Sequence, residues 1–305
     1  MSLLVVGTVA FDAIETPFAK TDKIIGGAAT YIALSASNFV EKVNLVSVIG
    51  GDFPKETLKL FQQKGIDLTG LEIKEQEKSF FWAGKYHKDL NSRDTLVTEL
   101  NVLGDFNPII PESYQDCEFL MLGNLTPDIQ RSVIQQLKQR PKLVVMDTMN
   151  FWMNVAWDSL LETLQLVDVL TINDEEARQL SGEFSLYKAA LKIQTMGPKF
   201  VVIKKGEHGA LIFHKEEYFF CPAYLSIDVI DPTGAGDTFA GGFIGYLYQV
   251  SKKRYITFED MKAALIFGSV MASFCVEYLG PEGLYNIKTE DIENRFQQFR
   301  KMVTI

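Results

Sequence analysis

A carboxylate standing directly after a Gly-Ala-Gly turn is the feature of this chain best suited to chemistry. The segment from Ile227 to Leu247 reads IDVIDPTGAGDTFAGGFIGYL. Its opening IDVI alternates as a strand does, and Phe239, Phe243, Tyr246 and Leu247 then recur at helical spacing. Ala240, Gly241, Gly242 and Gly245 permit close backbone approach, so a buried helix beginning near Asp237 is expected. Such a strand-turn-helix presents the N–H groups of Gly234, Ala235 and Gly236 at a helix N-terminus, where the dipole also favours negative charge. Asp237 beside that anion site can take a proton from a hydroxyl while the amides hold a transferring phosphoryl group. Positioning and electrostatic stabilisation supply most of what phosphoryl transfer needs. Taken alone, the segment fits equally well a carboxylate that merely caps a helix.

The elements that would hold this turn are readable elsewhere in the chain. LLVVG, VNLVSVIG, KLVVMD, DVLTIN and KFVVIKKG are short apolar runs closed by Gly, Asp or Asn, as buried parallel strands are. The N-terminus reads as the first of them. Helix signals lie between: DFPKETLKLFQQKG puts Pro54 where a first-turn proline fits and Gly65 at a C-terminal glycine position. LTPDIQRSVIQQLKQR offers Thr126 as an N-cap ahead of Pro127 and Asp128. The apolar run from Ala263 to Val276 is too short to span a bilayer and suits a buried helix. This alternation predicts an α/β layered domain with right-handed crossovers.

The stretch from Lys78 to Leu100 breaks the rhythm, with strands and no convincing helix. In SFFWAGKY, Phe80, Trp82 and Tyr86 share one parity while Phe81 and Ala83 share the other. A strand apolar on both faces needs cover on both. It is either a core strand or part of a small accessory sheet, with substrate on one side and a partner subunit or the main domain on the other.

Three motifs together resemble one family. DPTGAGDTFAGGF matches the C-terminal signature of the ribokinase-like (PfkB) carbohydrate kinases, GGAATYIALSASNF from Gly26 resembles their paired-glycine motif, and NDEEA from Asn173 resembles their NxxE motif. The order and separation fit over essentially the whole chain, as do Asp12 and the strand-rich insertion. The resemblance implies a single ribokinase-like domain over residues 1–305, with a mostly parallel central sheet and a small β-sheet lid formed mainly by 78–100 with part of 12–25. It implies an ATP-dependent phosphotransferase with an alcohol acceptor, in which Asp237 is the catalytic base and Gly234, Ala235 and Gly236 supply the anion hole. Asp12, Gly26 and Gly27 would contact the acceptor. Asn173 and Glu176 would organise Mg2+ and the ATP phosphates, largely through water, because a carboxylate near a triphosphate needs a cation between them. Lys204, Lys205 and Gly206 fall where the family places the nucleotide. Asp231 and Thr233, with the EYLGPEG loop from Glu277, match a site for a monovalent cation such as K+. The chain also departs from ribokinase proper: Thr30 and Tyr31 stand near a ribose-binding asparagine position, and Asn124 stands where a substrate-contacting glutamate is found.

Composition narrows the alternatives. A net charge of −9 argues against nucleic acid or an anionic membrane as the main partner. The three cysteines and three histidines show no metal-ligand or disulfide spacing, and with no signal-like N-terminus the expected compartment is the cytoplasm. A dinucleotide-dependent oxidoreductase would need G-x-G-x-x-G in VVGTVAFD, and a P-loop NTPase would need GxxxxGK[ST]; neither occurs. A non-catalytic small-molecule-binding relative remains an alternative. Among acceptors, a sugar or sugar-like polyol ranks first, with Asp12 and Asn124 as hydroxyl partners. A nucleoside of the adenosine type ranks second, with Phe80, Phe81 and Trp82 as a flat slot. A sugar phosphate ranks third, with Lys85, Lys88 and Arg93 as its cations. Because both faces of SFFWAGKY are apolar, a homodimer through the lid is also expected.

Overall fold

The structure, a computed structural model, describes residues 2–303. Strands β1 (Leu3–Val6), β2 (Ala10–Glu15) and β3 (Ile24–Gly26) precede helix α1 (Ala28–Ala36). Then follow β4 (Val43–Gly50), α2 (Lys55–Gln63), β5 (Ile66–Lys74), β6 (Phe81–Tyr86), β7 (Arg93–Glu99), β8 (Phe119–Leu122) and α3 (Pro127–Gln135). The middle of the chain forms β9 (Leu143–Asp147), α4 (Asn150–Val155), α5 (Trp157–Leu164), β10 (Val169–Asn173), α6 (Asp174–Ser181) and α7 (Leu186–Gln194). It ends with β11 (Phe200–Lys204), β12 (Ala210–His214), β13 (Glu217–Cys221), α8 (Ala235–Ser251), α9 (Phe258–Val276), α10 (Glu282–Tyr285) and α11 (Thr289–Val303).

Nine strands make one sheet in the order β13-β12-β11-β10-β9-β8-β1-β4-β5, parallel except for the hairpin β11-β12-β13 at one edge. The apolar runs become its central strands because both faces are covered. On one face Leu3, Val5, Met121, Val145 and Val202 pack against α1, α8 and α9. On the other, Leu4, Val6, Leu122, Met146 and Ile203 pack against α3, α5, α6 and α7. A second sheet of four strands, β3-β2-β6-β7, is built from residues near both Asp12 and the strand-rich insertion. The expected α/β architecture and the small second sheet are both present.

Local chemistry sets the helix ends that matter to the site. Asn173 Oδ1 accepts from Glu176 N at 2.8 Å and Glu176 Oε2 accepts from Asn173 N at 2.8 Å, so the NxxE segment is a capping box that starts α6. Thr126 caps α3 as expected, its hydroxyl accepting from Ile129 N. Pro54, expected in the first turn of α2, is instead its N-cap. The IDVI segment, expected to be a strand, is not one: Ile230 N and Asp231 N both donate to Val276 O at the end of α9, and Ile227 lies open to solvent. The chain there reaches α8 as a loop tied to a helix end, without a neighbouring strand to form a ladder.

Candidate active site

Asp237 lies in the first turn of α8, behind Gly234, the N-cap residue with φ 74°. That left-handed conformation favours glycine, and the Tyr31 ring from α1 fills the space where a side chain at 234 would begin. Ala235 N donates to Pro232 O at 3.2 Å, whereas the N–H groups of Gly234, Gly236 and Asp237 have no partner among the described residues. The open amides are therefore those of the two glycines and of Asp237 itself; that of Ala235 is engaged in the turn.

The carboxyl ends of the parallel strands converge on this turn. Asp147 ends β9, Asn173 ends β10 and Lys204 ends β11. Lys204 Nζ is 2.6 Å from Asp147 Oδ2, and Thr171 Oγ1 donates to the same oxygen at 2.8 Å. The ammonium also stands 3.1 Å from where a side chain on Gly236 would begin, which puts a cation beside the anion turn. Burial pulls the Lys204 ammonium down, but Asp147 and Glu176 outweigh it and hold its pKa above the ordinary lysine value. The VVMD run pointed to a strand ending in Asp147 without showing that its carboxylate would reach Lys204.

Three carboxyls around the turn are poised near neutrality. Burial, then the Asp147 carboxylate, pushes Asp237 up to about 7, with Lys204 and Arg93 opposing. Burial and Asp147 raise Glu176 to about 7, opposed by Lys204, by the Asn173 N–H and by Arg93. Burial raises Asp12 to about 7, helped by Asp231 and Asp237 and opposed by the Gly27 N–H and Arg93. Among the described residues, no group of three or more His, Cys, Asp and Glu side chains could hold a metal ion directly. Glu176 and Asn173 each spend a side-chain oxygen on the capping box that starts α6.

Asp12 projects from β2 into the space where a side chain on Gly26 would begin. The paired glycine is thus what lets that carboxylate reach the site. Gly27, with φ 92°, caps α1, and Thr30 Oγ1 is turned back onto Gly26 O at 2.7 Å. Tyr31 is buried and its hydroxyl has no hydrogen-bond partner among the described residues. Asn124 stands beyond β8, but its Oδ1 accepts from Trp152 Nε1 at 2.8 Å and its Nδ2 faces Met149 Sδ at 3.1 Å. Its amide anchors α4 and the loop before it.

Asp231 is buried, its oxygens accepting from Thr233 N at 2.8 Å and Gly280 N at 2.9 Å. It joins the signature loop to the EYLGPEG loop. Thr233 Oγ1 also donates to Tyr86 OH at 3.2 Å, a link from β6 to the signature loop that the sequence did not reveal. Gly206, with φ 54°, begins the turn after β11, and Asn91 from the β6-β7 hairpin fills its missing side-chain space. A groove of about 570 Å3 beside this turn is lined by Lys205, His208, Phe220 and Leu225, among others. Of the cationic candidates in the insertion, Lys85 is held by Glu15 at 2.6 Å, and Lys88 is exposed. Arg93 has no hydrogen bond or ion pair among the described residues, yet its charge is felt by Asp12, Glu176 and Asp237.

Open helix N-terminal amides, a buried carboxylate and a lysine thus gather at the carboxyl edge of a mostly parallel sheet, where folds of this architecture bind their ligands. A family model described as pfkB family carbohydrate kinase matches residues 2–286, and the chain belongs to that family. It is 34% identical over 252 residues to a cytidine kinase of Thermococcus kodakarensis, covering 81% of this chain and 88% of that one. Its fold is similar to that of a protein from E. coli designated ribokinase II, solved with ATP and Mg2+, at a TM-score of 0.78, 18% identity and coverage of 97% and 99%. It is likewise similar to a nucleoside kinase of Burkholderia thailandensis solved with inosine, at a TM-score of 0.75, 18% identity and 97% coverage of each chain.

Proposed function

We propose that the protein moves the γ-phosphoryl group of ATP to an alcohol group of a sugar or sugar-like small molecule, with Asp237 as general base. The observation that carries this reading is the position of Asp237 beside the open amides of Gly234 and Gly236, with the Lys204 ammonium next to Gly236. A base poised near 7 can accept a proton at neutral pH, and free amides at a helix N-terminus suit the charge of a transferring phosphoryl group. Asp12, seated over Gly26, would grip acceptor hydroxyls together with Gly27. Asn124 would contribute through the order it gives α4.

The nucleotide would lie along the carboxyl ends of β10 and β11, near Asn173, Glu176, Lys204 and Gly206. Mg2+ fits a site whose acidic groups gather beside a triphosphate position, where it would neutralise phosphate charge. Glu176 would orient its water ligands. K+ beside Asp231 and Thr233 belongs to the same proposal, supported by a buried carboxylate that ties two loops together. Equal activity in potassium and in bulky ammonium buffers would remove it. The chain is read as one domain acting in the cytoplasm, consistent with three free, buried cysteines. No described helix is long and apolar enough to cross a membrane.

The four-stranded sheet is read as a lid, supported by the Tyr86–Thr233 and Asn91–Gly206 contacts that carry it across the cleft. Leu96, Val97 and Leu100, on and just beyond its edge strand β7, are exposed, which supports a dimer through the lid. A monomer in sedimentation at micromolar protein would count against the dimer.

A nucleoside acceptor is the second reading, favoured by the identity to a cytidine kinase. Incubation with ATP and Mg2+ over sugars, nucleosides and sugar phosphates tests the whole proposal. Acceptor-dependent release of ADP is expected. Its absence with every class, in a folded protein that binds ATP, would leave a binding protein in place of an enzyme.

A further inference from the structure

The small sheet carries an aromatic platform beside Asp12 that neither the anion turn nor the nucleotide position uses. Asp12 on β2 pairs directly with Trp82 on β6 in parallel register, so their side chains rise from the same face of the sheet. Tyr86 rises from that face too, and its hydroxyl meets Thr233 of the signature loop. Arg93, paired with Tyr86 across the β6-β7 hairpin, is close enough to the cleft to be felt by Asp12 and Asp237. This face therefore looks into the cleft, with Trp82 as the lateral neighbour of the carboxylate that would grip the acceptor.

The indole is built flat. Gly84 lies two residues along β6 on the same face, and the benzo ring of Trp82 fills the space where its side chain would begin. Trp82 Nε1 donates to Thr95 Oγ1 at 3.3 Å, which pins the ring at its other end. The benzo ring is thus laid against the strand at Gly84, while the side chain as a whole stays only half-buried. The Arg93 guanidinium stands 5.8 Å from the ring centroid, with no ion-pair partner among the described residues. Two stacking spacings come to about 7 Å, so an outward shift of about 1 Å by this exposed side chain admits a planar ring between indole and guanidinium. A bare sugar has no flat ring to fill that place. A nucleoside does, with its ribose hydroxyls toward Asp12.

We propose that Trp82, laid flat by Gly84 and pinned by Thr95, is the platform on which the base of a nucleoside acceptor stacks. This rests on the phosphotransfer reading above and moves the nucleoside from its second acceptor class to its first. Stacking on one aromatic face tolerates different bases, so the platform selects for a base without choosing which.

Cytidine and D-ribose separate the two levels, since they share the primary hydroxyl at carbon 5 and differ in the base. The wild-type protein is expected to phosphorylate cytidine at a kcat/KM at least tenfold above that for ribose. Trp82→Ala should lower kcat/KM for cytidine by about tenfold or more, mainly through KM, with less than a twofold change on ribose or on the small rate it supports. Trp82→Phe, which keeps a flat ring, should recover most of the loss. Gly84→Ala, which displaces the indole without deleting it, should resemble Trp82→Ala, and circular dichroism would verify that both variants fold. Phosphorylation of ribose in preference to cytidine, or equal losses on both acceptors in Trp82→Ala, would overturn the platform and leave the kinase reading intact. No phosphorylation of either compound or of any other alcohol would remove both.

Discussion

Lys204 Nζ lies 2.6 Å from Asp147 Oδ2 at the carboxyl edge of the main sheet, with the two side chains only 16% and 9% exposed. The same ammonium borders Gly236, so one cation both neutralises a buried carboxylate and faces the anion turn. Removing one member of a buried pair leaves the other uncompensated, typically at roughly 3–5 kcal/mol. Lys204→Met should therefore lower the urea midpoint strongly and weaken ATP binding. The double variant Lys204→Met/Asp147→Asn should regain most of the stability and none of the ATP affinity. Recovery of both would make the pair structural only.

The three raised carboxyls give the ligand-free protein a characteristic pH dependence. Asp12, Glu176 and Asp237 have folded values of about 7 against ordinary values of 3.8, 4.5 and 3.8. Between those limits the folded state binds more protons than the unfolded state, so stability falls as pH rises. Their contribution is fully present below pH 4 and is lost by about pH 7. Asp67 and Asp260 work oppositely: each is lowered, despite burial, by hydrogen bonds from its neighbours, and its contribution is lost as pH falls below the ordinary carboxylate range. Tm should thus be highest near pH 5 and decline toward pH 8. A Tm that rises steadily from pH 5 to 8 would contradict the raised values.

Gly26 is more than a turn residue, because the Asp12 carboxylate occupies its side-chain space. Gly26→Ala should expel that carboxylate and raise the acceptor KM by about tenfold or more, the cost of losing a charge-assisted hydrogen bond. The KM for ATP should hardly change. Equal changes in both constants would mean that the paired glycines serve α1 and its packing instead.

The sequence revealed the components of this site better than their contacts. The buried strands, the start of α8 near Asp237 and the N-cap at Thr126 follow from periodicity and local hydrogen-bond chemistry, and each is present. The capping box of Asn173 and Glu176 emerged only in the structure. Asn124 and IDVI were harder to read because their partners lie far along the chain. Trp152 and Met149 claim the amide of Asn124, and Val276 takes the backbone of Ile230. Lys204, Gly206 and Arg93 could be named from their neighbourhood, but their contacts with Asp147, Asn91 and the three carboxyls arise only when separate strands meet. A glycine likewise shows in sequence only as missing bulk. At Gly26 the vacancy is filled by Asp12, brought there by the β2-β3 register, and at Gly84 by Trp82, two residues back on the same strand.

Asp237→Asn decides whether the carboxylate behind the anion turn is a base or a cap. Asparagine keeps the size and leaves the amides of Gly234 and Gly236 in place, but it cannot accept a proton. Loss of a general base typically costs about 10²–10⁴-fold in rate, so kcat should collapse while the affinity for ATP stays near that of wild type. Stability supplies an independent readout. Burial and Asp147 disfavour the charged form of Asp237, so replacing it removes a penalty at pH 8 that outweighs the roughly 0.3–1 kcal/mol a carboxylate gains at a helix N-terminus. The variant should melt no lower than wild type at pH 8 and lower relative to it at pH 5, where the wild-type carboxyl is protonated. A pure cap gives the opposite pattern, with turnover retained and Tm reduced at pH 8. Near-normal turnover in a folded Asp237→Asn protein would leave the proposed transfer without its base.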